Sequence, residues 1–346
     1  MLTDAHVHER SLMENRQHAF SGEKTVVNGR ALYQLGRHAR GDPARPAQTN
    51  APERTTQSVI IAASLTGTSM SRRRARRPRR SSGFRFLLAA VLAVMAITTD
   101  YLYELDTARP AMTWMGIPRA TGDAFTWARV LRNPGFMLGW SDLRGNALWV
   151  TYRLTALPTE VRRLPRPERF SADWRAFGLI HHDSYTRSGY DRGHLAPNHA
   201  MAQLYGRDAQ HASFRMTNIS PQRSNLNQRV WQRLEQYELS ELTARFGEVW
   251  VTTGPVFSGE RERLRSHLLV EIPDAFYKLF AVTDTGGSPR LFAFLIPQQV
   301  HGDEPLARYV VSVDEVEKLT GLDFFHALED PLENRLEAAA LVPPGI

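Results

Sequence analysis

The spacing of hydrophobic and polar positions changes along the chain and divides it into regions. Residues 1–69 show no sustained period, which predicts that they are disordered or lie upstream of a translation start at Met70. Residues 86–98 form an uncharged and almost wholly apolar run. From Tyr101 onward, the composition is that of a globular domain, with apolar segments bounded by Gly or Pro. The predicted regions are therefore 1–69, 70–100 and 101–346.

Within the last region, short segments rich in β-branched and aromatic residues predict strands. They are residues 149–154, 249–253, 276–282 and 291–296. Residues 227–246 have helical spacing of apolar positions and lack Gly and Pro until Gly247, and a second, short helix is predicted at 314–319. Residues beyond Pro331 are predicted to form a solvated tail. Strands outnumber helices in a mixed order, which favours an α+β class over a doubly wound sheet.

The charge of the chain is distributed unevenly. Residues 1–100 contain 16 Lys and Arg against 7 Asp and Glu, whereas residues 101–346 contain 27 against 29. The net charge of +7 therefore reflects the N-terminal part, and any nucleic-acid-binding surface of the folded domain must be formed by locally placed arginines. The sequence has no cysteine, which excludes disulfides and thiolate metal sites.

The apolar run follows a strongly basic segment. Residues 71–80 contain seven arginines, and a basic segment before a short apolar one is typical of a secretory signal. The run is shorter than the ~20 residues that span a bilayer, although flanking residues could lengthen it. Val94 and Ala96 suit positions −3 and −1 of a cleavage site. We therefore predict export to the periplasm or medium, or anchoring to the membrane by residues 86–98. The alternative is a nucleic-acid-binding basic arm before a buried helix.

Residues 188–198 are the richest stretch in reactive side chains. His194 is suited to accept a proton from water near neutral pH, and Arg192 offers a planar set of donors for a phosphate. In an extended segment these two residues point to the same face, and Gly193 between them leaves room for a backbone or ligand to come close. The alternative is an Asp191–Arg192 surface ion pair beside an ordinary loop histidine.

Two further segments give this stretch a context. Residues 217–222 read Thr-Asn-Ile-Ser-Pro-Gln, and residues 226–235 read Leu-Asn-Gln-Arg-Val-Trp-Gln-Arg-Leu-Glu. Together with residues 253–257 and 311–322, this ordered set resembles the DNA/RNA non-specific endonuclease family over most of residues 110–330. The resemblance implies a ββα-metal (His-Me finger) fold, with a core at about residues 188–246. In that fold a hairpin that carries the histidine packs against a helix that carries the metal ligand.

The same resemblance implies roles for individual residues. His194 would be the general base that activates a water molecule, and Arg192 would position the phosphate. Arg169 is a second candidate for phosphate binding. Asn218 matches a further polar position of the catalytic site and is expected to organise the pocket.

Asn227 matches the metal ligand of the family. One amide oxygen plus water suits Mg²⁺, for which Mn²⁺ could substitute, although a lone asparagine is also a common helix cap. Glu235 lies eight residues later, a helical rise of about 12 Å, so both side chains cannot contact one ion in a straight helix. Either the chain enters the helix after Asn227 and curls back, or Glu235 acts through a metal-bound water, which we expect. Leu239 occupies a position where relatives often have an arginine, which puts one phosphate contact in doubt.

The resulting hypothesis is a metal-dependent endonuclease that cleaves DNA and RNA with little sequence preference. Contacts to phosphates carry no base identity, which accounts for the lack of preference. Two alternatives are a catalytically silent nuclease-like domain that binds nucleic acid or a partner, and a phosphodiesterase for small phosphoesters. The predicted partner is the phosphate backbone of DNA and RNA, while an inhibitor protein and a homodimer are left open.

Overall fold

The computed structural model describes residues 82–158, 160, 164–257 and 259–346. The expectations for residues 1–69, for a start at Met70 and for the arginine run lie outside these residues. The described strands are β1 (Arg119–Ala120), β2 (Arg129–Asn133), β3 (Phe136–Ser141), β4 (Asn146–Thr155), β5 (Asp191–His194), β6 (Ile219–Gln222), β7 (Glu248–Val256), β8 (Arg263–Leu264), β9 (His267–Glu271), β10 (Ala275–Thr283), β11 (Pro289–Pro297), β12 (Val310–Val311) and β13 (Leu322–Asp323).

The helices of the described residues are mostly short. They are α1 (Ser82–Tyr103), α2 (Arg109–Met112), α3 (Asn198–Ala200), α4 (Arg207–Ser213), α5 (Gln232–Tyr237), α6 (Thr243–Phe246), α7 (Val313–Thr320) and α8 (Asp330–Glu337). π-Helical turns occur at Glu104–Ala108, Met201–Tyr205, Leu226–Trp231 and Glu238–Leu242. 3₁₀-Helical turns occur at His182–Tyr185, Met216–Asn218 and Leu306–Tyr309.

The largest sheet of the described residues is antiparallel and has the strand order β12-β11-β10-β7-β4-β3-β2. All four predicted strand segments lie in it, within β4, β7, β10 and β11. Both faces of the sheet are covered, so successive residues of β10 enter different cores. Phe276 and Phe280 pack on one face, and Tyr277 and Leu279 on the other. Burial on both faces explains why these strands are nearly continuous apolar runs.

A small hairpin and a long helix lie on the first of these faces. β5 pairs with β6 in antiparallel register, with His194 opposite Ile219 and Arg192 opposite Pro221. Residues 195–218, which include α3 and α4, connect the two strands. The chain then runs from the π-helical turn at Leu226 into the helix. This hairpin and helix form the ββα arrangement, and the prediction of an α+β ββα-metal fold is confirmed.

The helix that follows β6 begins at Ser224 and is continuous to Phe246, and we call it the site helix. It consists of two π-helical turns that alternate with α5 and α6, and it ends at Gly247, whose φ of 77° suits a glycine. Trp231 packs edge-to-face on Phe276 of the sheet at 5.8 Å, a contact worth about 0.5–1.5 kcal/mol. Because Asn227 already lies inside this helix, the idea that the chain enters the helix only after Asn227 is wrong.

A buried ion pair joins the site helix to the sheet. Lys278 of β10 donates to Glu238 at 2.8 Å and to the Tyr152 hydroxyl at 3.2 Å, and Tyr152 in turn donates to Glu238 at 2.9 Å. Both charged side chains are 0% exposed. The ammonium also lies 4.7 Å from the centre of the Trp231 ring. Each charge is therefore stabilised only by protein groups, and the pair fixes the rotation of the helix about its axis.

The C-terminal residues are structured, and the predicted solvated tail beyond Pro331 is wrong. Residues 330–337 form α8, Leu332 and Leu336 pack on the second core, and the Tyr237 hydroxyl donates to the Pro344 carbonyl at 2.6 Å. Pro331 sits in the first turn of α8, where its missing N–H costs nothing. The proline therefore begins a helix here.

The apolar run forms part of a longer helix than its 13 residues suggested. α1 continues through a π-helical turn into α2, and the stretch Gly83–Met112 spans 30 residues with a mean hydropathy of 1.8 in its most apolar part. By length and composition alone it is the one helix of the described residues that is able to cross a membrane. Its side chains up to Tyr103 are exposed, and Arg132 of β2 bonds to Asp100 near its end at 2.6 Å.

Removing one member of the buried pair should destabilise the domain strongly. Glu238→Ala leaves the Lys278 ammonium uncompensated, and we expect a loss of about 3–5 kcal/mol in the free energy of unfolding, measured with urea. Glu248→Ala breaks the exposed pair with Arg153 and should cost below about 1 kcal/mol. The double variant Glu238→Gln, Lys278→Met should recover much of the loss. Equal effects of the two alanine variants would contradict this account.

Candidate active site

A single open cleft separates the β5 strand from the site helix. Its volume is about 1430 Å³. The strand supplies Asp191, Arg192 and His194, and the site helix supplies Asn227 and Glu235. The remaining walls come from the chain before β5, from α3 and from later turns of the helix, and they include Leu157, Arg166, Phe170, Tyr190, Asn198, His199, Gln228, Gln232, Gln236, Leu239 and Thr243.

The Asp191 carboxylate joins the two walls of the cleft. It accepts hydrogen bonds from Ser224 at 3.1 Å, from Asn227 Nδ2 at 3.1 Å and from Gln228 at 2.8 Å. All three donors lie at the start of the helix, while Asp191 is the first residue of β5. No ion pair forms between Asp191 and Arg192 among the described residues, so the alternative of a surface pair is wrong.

The His194 ring is held between two aromatic side chains. Its centre lies 5.3 Å from that of Phe170 and 4.9 Å from that of Phe214. Burial, together with the positive charge of Arg166, lowers the pKa of His194 to about 3. Nε2 is enclosed and has no hydrogen-bond partner among the described residues. Nδ1 makes no hydrogen bond with them either and is not enclosed, so it is the ring nitrogen that faces the cleft. The histidine is therefore neutral at physiological pH.

The absence of a side chain at Gly193 is explained by contact with the partner strand β6 and not by the approach of a ligand. A Cβ at this position would overlap the Gln222 side chain, which is completely buried under the hairpin. The predicted room for close approach exists, but a protein side chain fills it. Arg192 and His194 on either side of Gly193 both line the cleft, as the two-residue spacing predicts.

Arg192 has only part of its guanidinium available. Nε and Nη2 donate to the His182 carbonyl at 2.9 and 2.7 Å, and the guanidinium lies over the Tyr185 ring at 5.9 Å. These contacts hold the 3₁₀-helical turn His182–Tyr185 beside the hairpin. Nη1 makes no hydrogen bond within the described residues and is the group left for a phosphate.

Asn227 and Glu235 lie two turns apart on the side of the site helix that lines the cleft. Asn227 Nδ2 is bound to Asp191, so its amide oxygen Oδ1 is the atom that remains for a cation. Burial raises the pKa of Glu235 to about 7. The negative charge of Glu238 adds to this increase, and the positive charge of Lys278 opposes it. With the helix continuous between them, the about 12 Å rise prevents both from contacting one ion.

Two predicted site residues do not line the cleft. Asn218 is 0% exposed, and its side chain accepts from the Ala196 N–H and donates to the Ala196 and Ser213 carbonyls at 2.9–3.0 Å. All its bonds therefore go to backbone, which fits an organising role and excludes substrate contact. Arg169 pairs with exposed Asp183 at 3.1 Å, outside the cleft.

The sequence interpretation overlooked Arg166. This residue lines the cleft, its guanidinium lies 5.2 Å from the centre of the Phe214 ring, and it forms no ion pair with the described residues. The signal in the sequence is the Pro/Arg-rich composition of residues 158–167. Opposite this wall, Leu239 places an apolar side chain in the cleft.

Comparison with known proteins agrees with this geometry. The model of the family described as DNA/RNA non-specific endonuclease matches residues 121–331. The chain is 29% identical to a nuclease of Nostoc sp. over 59% of its own length and 75% of the relative. It is 30% identical to mitochondrial endonuclease G of Homo sapiens over 57% of its length and 69% of the relative.

The fold has a counterpart among solved structures. A chain in the crystal structure of the EndoG/EndoGI complex superposes with a TM-score of 0.53 at 22% identity, covering 61% of this chain and 95% of the other. At that identity the likeness shows the fold alone. The family match and the two nuclease relatives carry the functional conclusion. The chain belongs to the DNA/RNA non-specific endonuclease family and is a nuclease.

Proposed function

We propose that the protein hydrolyses phosphodiester bonds in both DNA and RNA, with His194 as the general base and Asn227 as the ligand of a catalytic Mg²⁺. The observation that supports this most directly is the Asp191 carboxylate. It bonds to Asn227 from the strand that also carries His194, so base and metal ligand face one cleft. Residues 101–346 constitute the nuclease domain in this proposal.

His194 would remove the proton from the attacking water. For Nδ1 to accept the proton of the water, the single proton of the neutral ring has to be on Nε2, which is enclosed and has no hydrogen-bond partner among the described residues. A base with a pKa of about 3 is weak in the free protein. A bound phosphodiester brings negative charge close to the ring and raises the pKa of His194 towards the range of an effective base.

The residues of the cleft fit a hard divalent cation. Asn227 Oδ1 is the free oxygen of an amide whose nitrogen is already bound to Asp191, and it would be the protein ligand of the ion. Glu235 would add a carboxylate that acts on the ion through a water molecule. The family is dependent on divalent metals, and one neutral oxygen with several waters suits Mg²⁺, with Mn²⁺ as a substitute. When bound, such a cation stabilises the negative charge at the phosphate and at the departing 3′ oxygen.

Arg166 and the free Nη1 of Arg192 would contact the phosphate. They lie on the His194 side of the cleft, whereas Leu239 leaves the helix side without a guanidinium. Arginine contacts to phosphate oxygens position a strand without reading its bases. A cleft whose charged groups address only the backbone accounts for activity on both nucleic acids with little sequence preference.

We infer that the protein is exported or anchored to the membrane by the helix that contains residues 86–98. The exposed apolar side chains of α1 support this, because a helix with no buried face is not part of the protein core. An inhibitor protein is a further inferred partner, since the solved structure of similar fold is a complex that bears on EndoG inhibition.

The first test is cleavage of supercoiled plasmid and of RNA, with and without a chelator. His194→Ala should lose at least about 10²-fold in kcat while remaining folded, because it removes the general base. Asn227→Ala should raise the Mg²⁺ concentration needed for half-maximal activity as well as lower kcat. Glu235→Ala should do the same more mildly, by about 10- to 100-fold.

Arg169→Ala serves as the matched control, since Arg169 lies outside the cleft and should retain activity. Full activity in excess EDTA would refute the metal site. Folded wild-type protein that binds nucleic acid without cutting would instead support a silent domain. Cleavage of small phosphodiesters but not of plasmid would support the alternative of a phosphodiesterase for small phosphoesters.

The protonation of His194 can be measured directly by NMR. Because burial lowers the pKa of His194 from about 6.5 in the unfolded chain to about 3, its ring signals should not shift between pH 8 and pH 5. The neutral ring stabilises the fold fully above pH 6.5, and that contribution is lost as pH falls towards 3. His194→Ala assigns the signal, and the urea-unfolded chain should titrate normally. A titration midpoint near 6 in the folded protein would contradict this.

The role of the N-terminal region is separable from catalysis. Deletion of residues 1–99 should leave DNA cleavage by the purified domain nearly unchanged, since the cleft contains its own arginines. The deletion should also retain the protein in the cytoplasm. If the arginine run binds substrate instead, the deletion should weaken DNA affinity and flatten its salt dependence. The N-terminal sequence and cell fraction of the mature protein give the answer: a soluble cytoplasmic chain that starts at Met1 would end the export hypothesis.

A further inference from the structure

A group of carboxylates lies between the two C-terminal helices, away from the cleft. Asp314 and Glu317 lie on α7 and Glu337 lies at the end of α8, and one oxygen of each is within 4.8 Å of the other two. α7 packs on the core that contains Tyr277 and Leu279, which is the face of the sheet opposite the site helix. Within the described part of the chain, it is the one group of three or more acidic or histidine side chains close enough to share an ion.

Glu337 is the unusual member of this group. Its residue is only 5% exposed, and Oε1 is enclosed without a hydrogen-bond partner among the described residues. An ionised carboxylate is costly to bury unless it is paired or bound to a metal. No lysine or arginine of the described residues forms an ion pair with any of the three carboxylates.

The surroundings increase this cost. Burial and the negative charges of Glu317, Glu333, Asp314 and Asp323 raise the pKa of Glu337 to about 9. Burial and neighbouring carboxylates raise the pKa of Glu317 to about 7, although its Oε1 accepts the Phe324 N–H at 2.7 Å. The positive groups nearby, Arg119 and His326, act on Glu333. The three carboxylates therefore have an excess of negative charge that no group within the cluster balances.

A set made only of carboxylate oxygens fits a hard cation, and oxygens within 4.8 Å of one another are close enough to share it. Ca²⁺ takes 6–8 oxygen ligands in a flexible geometry and is commonly held by several protein carboxylates. Mg²⁺ demands a near-ideal octahedron and keeps most of its waters, so it suits a site with three protein carboxylates less well. Glu337 also lies at the C-terminal end of α8, where unpaired carbonyls favour a cation and disfavour a bare carboxylate.

We propose that Asp314, Glu317 and Glu337 bind a Ca²⁺ ion that fastens α8 to α7, at a site separate from the nuclease cleft. The ion contributes to the stability of the C-terminal region and takes no part in hydrolysis. Its ligands come from two helices that otherwise contact each other through apolar side chains such as Leu332. Binding of Ca²⁺ therefore stabilises the packed position of α8.

The test compares Ca²⁺ binding and thermal unfolding in the full chain, in detergent, at pH 7.5. For wild type, calorimetric titration with CaCl₂ should show one more bound ion per chain than for Glu337→Gln. Ca²⁺ at 100 times its Kd should raise the wild-type Tm by roughly 5 °C or more. Glu337→Gln should lose this gain, and Glu315→Gln, which removes a carboxylate of α7 outside the group, should keep it.

Two outcomes would overturn the proposal. One is a Ca²⁺-dependent gain in Tm that is equal in wild type and Glu337→Gln. The other is a wild-type Tm that does not respond to Ca²⁺ while Glu337→Gln alone raises it, which would mean that Glu337 is a buried neutral acid. At a temperature below the Tm of the variant, plasmid cleavage by Glu337→Gln in Mg²⁺ should equal that of wild type. Failure of the Ca²⁺ proposal would therefore leave the proposed nuclease mechanism intact, and failure of the nuclease mechanism would leave the Ca²⁺ proposal intact.

Discussion

The arrangement of the cleft depends on the Asp191 carboxylate. The ββα motif has two separate parts, and nothing in a β-hairpin by itself determines the distance to a helix that follows it. Asp191 fixes that distance, because its oxygens accept from Ser224, Asn227 and Gln228 in the first turns of the helix. It also fixes the amide of Asn227 with the nitrogen towards the protein and the oxygen free. One residue of the strand therefore orients the helix side of the cleft, while His194, three residues later, provides the other side.

Burial has opposite consequences for the two titratable groups of the cleft, and the fold uses both. A low-dielectric environment disfavours the charged form, so it lowers the pKa of His194 and raises that of Glu235. For the histidine, the result is a neutral ring that can accept a proton. For the glutamate, the result would be a neutral acid, which is a weaker hydrogen-bond acceptor than a carboxylate. The buried Lys278 counteracts this, because its positive charge lowers the pKa of Glu235. The ion pair beneath the site helix therefore supports its active face as well as its position.

Sequence patterns predicted those features that depend on neighbours along the chain. Strands β4, β7, β10 and β11 are buried on both faces, so their composition alone marks them, and the two-residue spacing placed Arg192 and His194 on one face. The features that were missed depend on contacts distant in sequence. Arg166 lies in the cleft because its guanidinium packs on the Phe214 ring. α8 is stable because apolar residues after Pro331 pack against the second core. The local spacing of apolar residues does not reveal such long-range contacts.

Leu239 and Arg166 both affect the distribution of charge in the cleft. An arginine at position 239 would place positive charge on the helix wall, beside Glu235. Leucine removes that charge and leaves the helix side with a carboxylate, an amide and an apolar surface. Arg166 and Arg192 lie on the opposite wall, next to His194. The two guanidinium groups that line the cleft therefore come from outside the site helix, and the charge of Arg166 acts on both titratable groups, lowering the pKa of His194 and of Glu235.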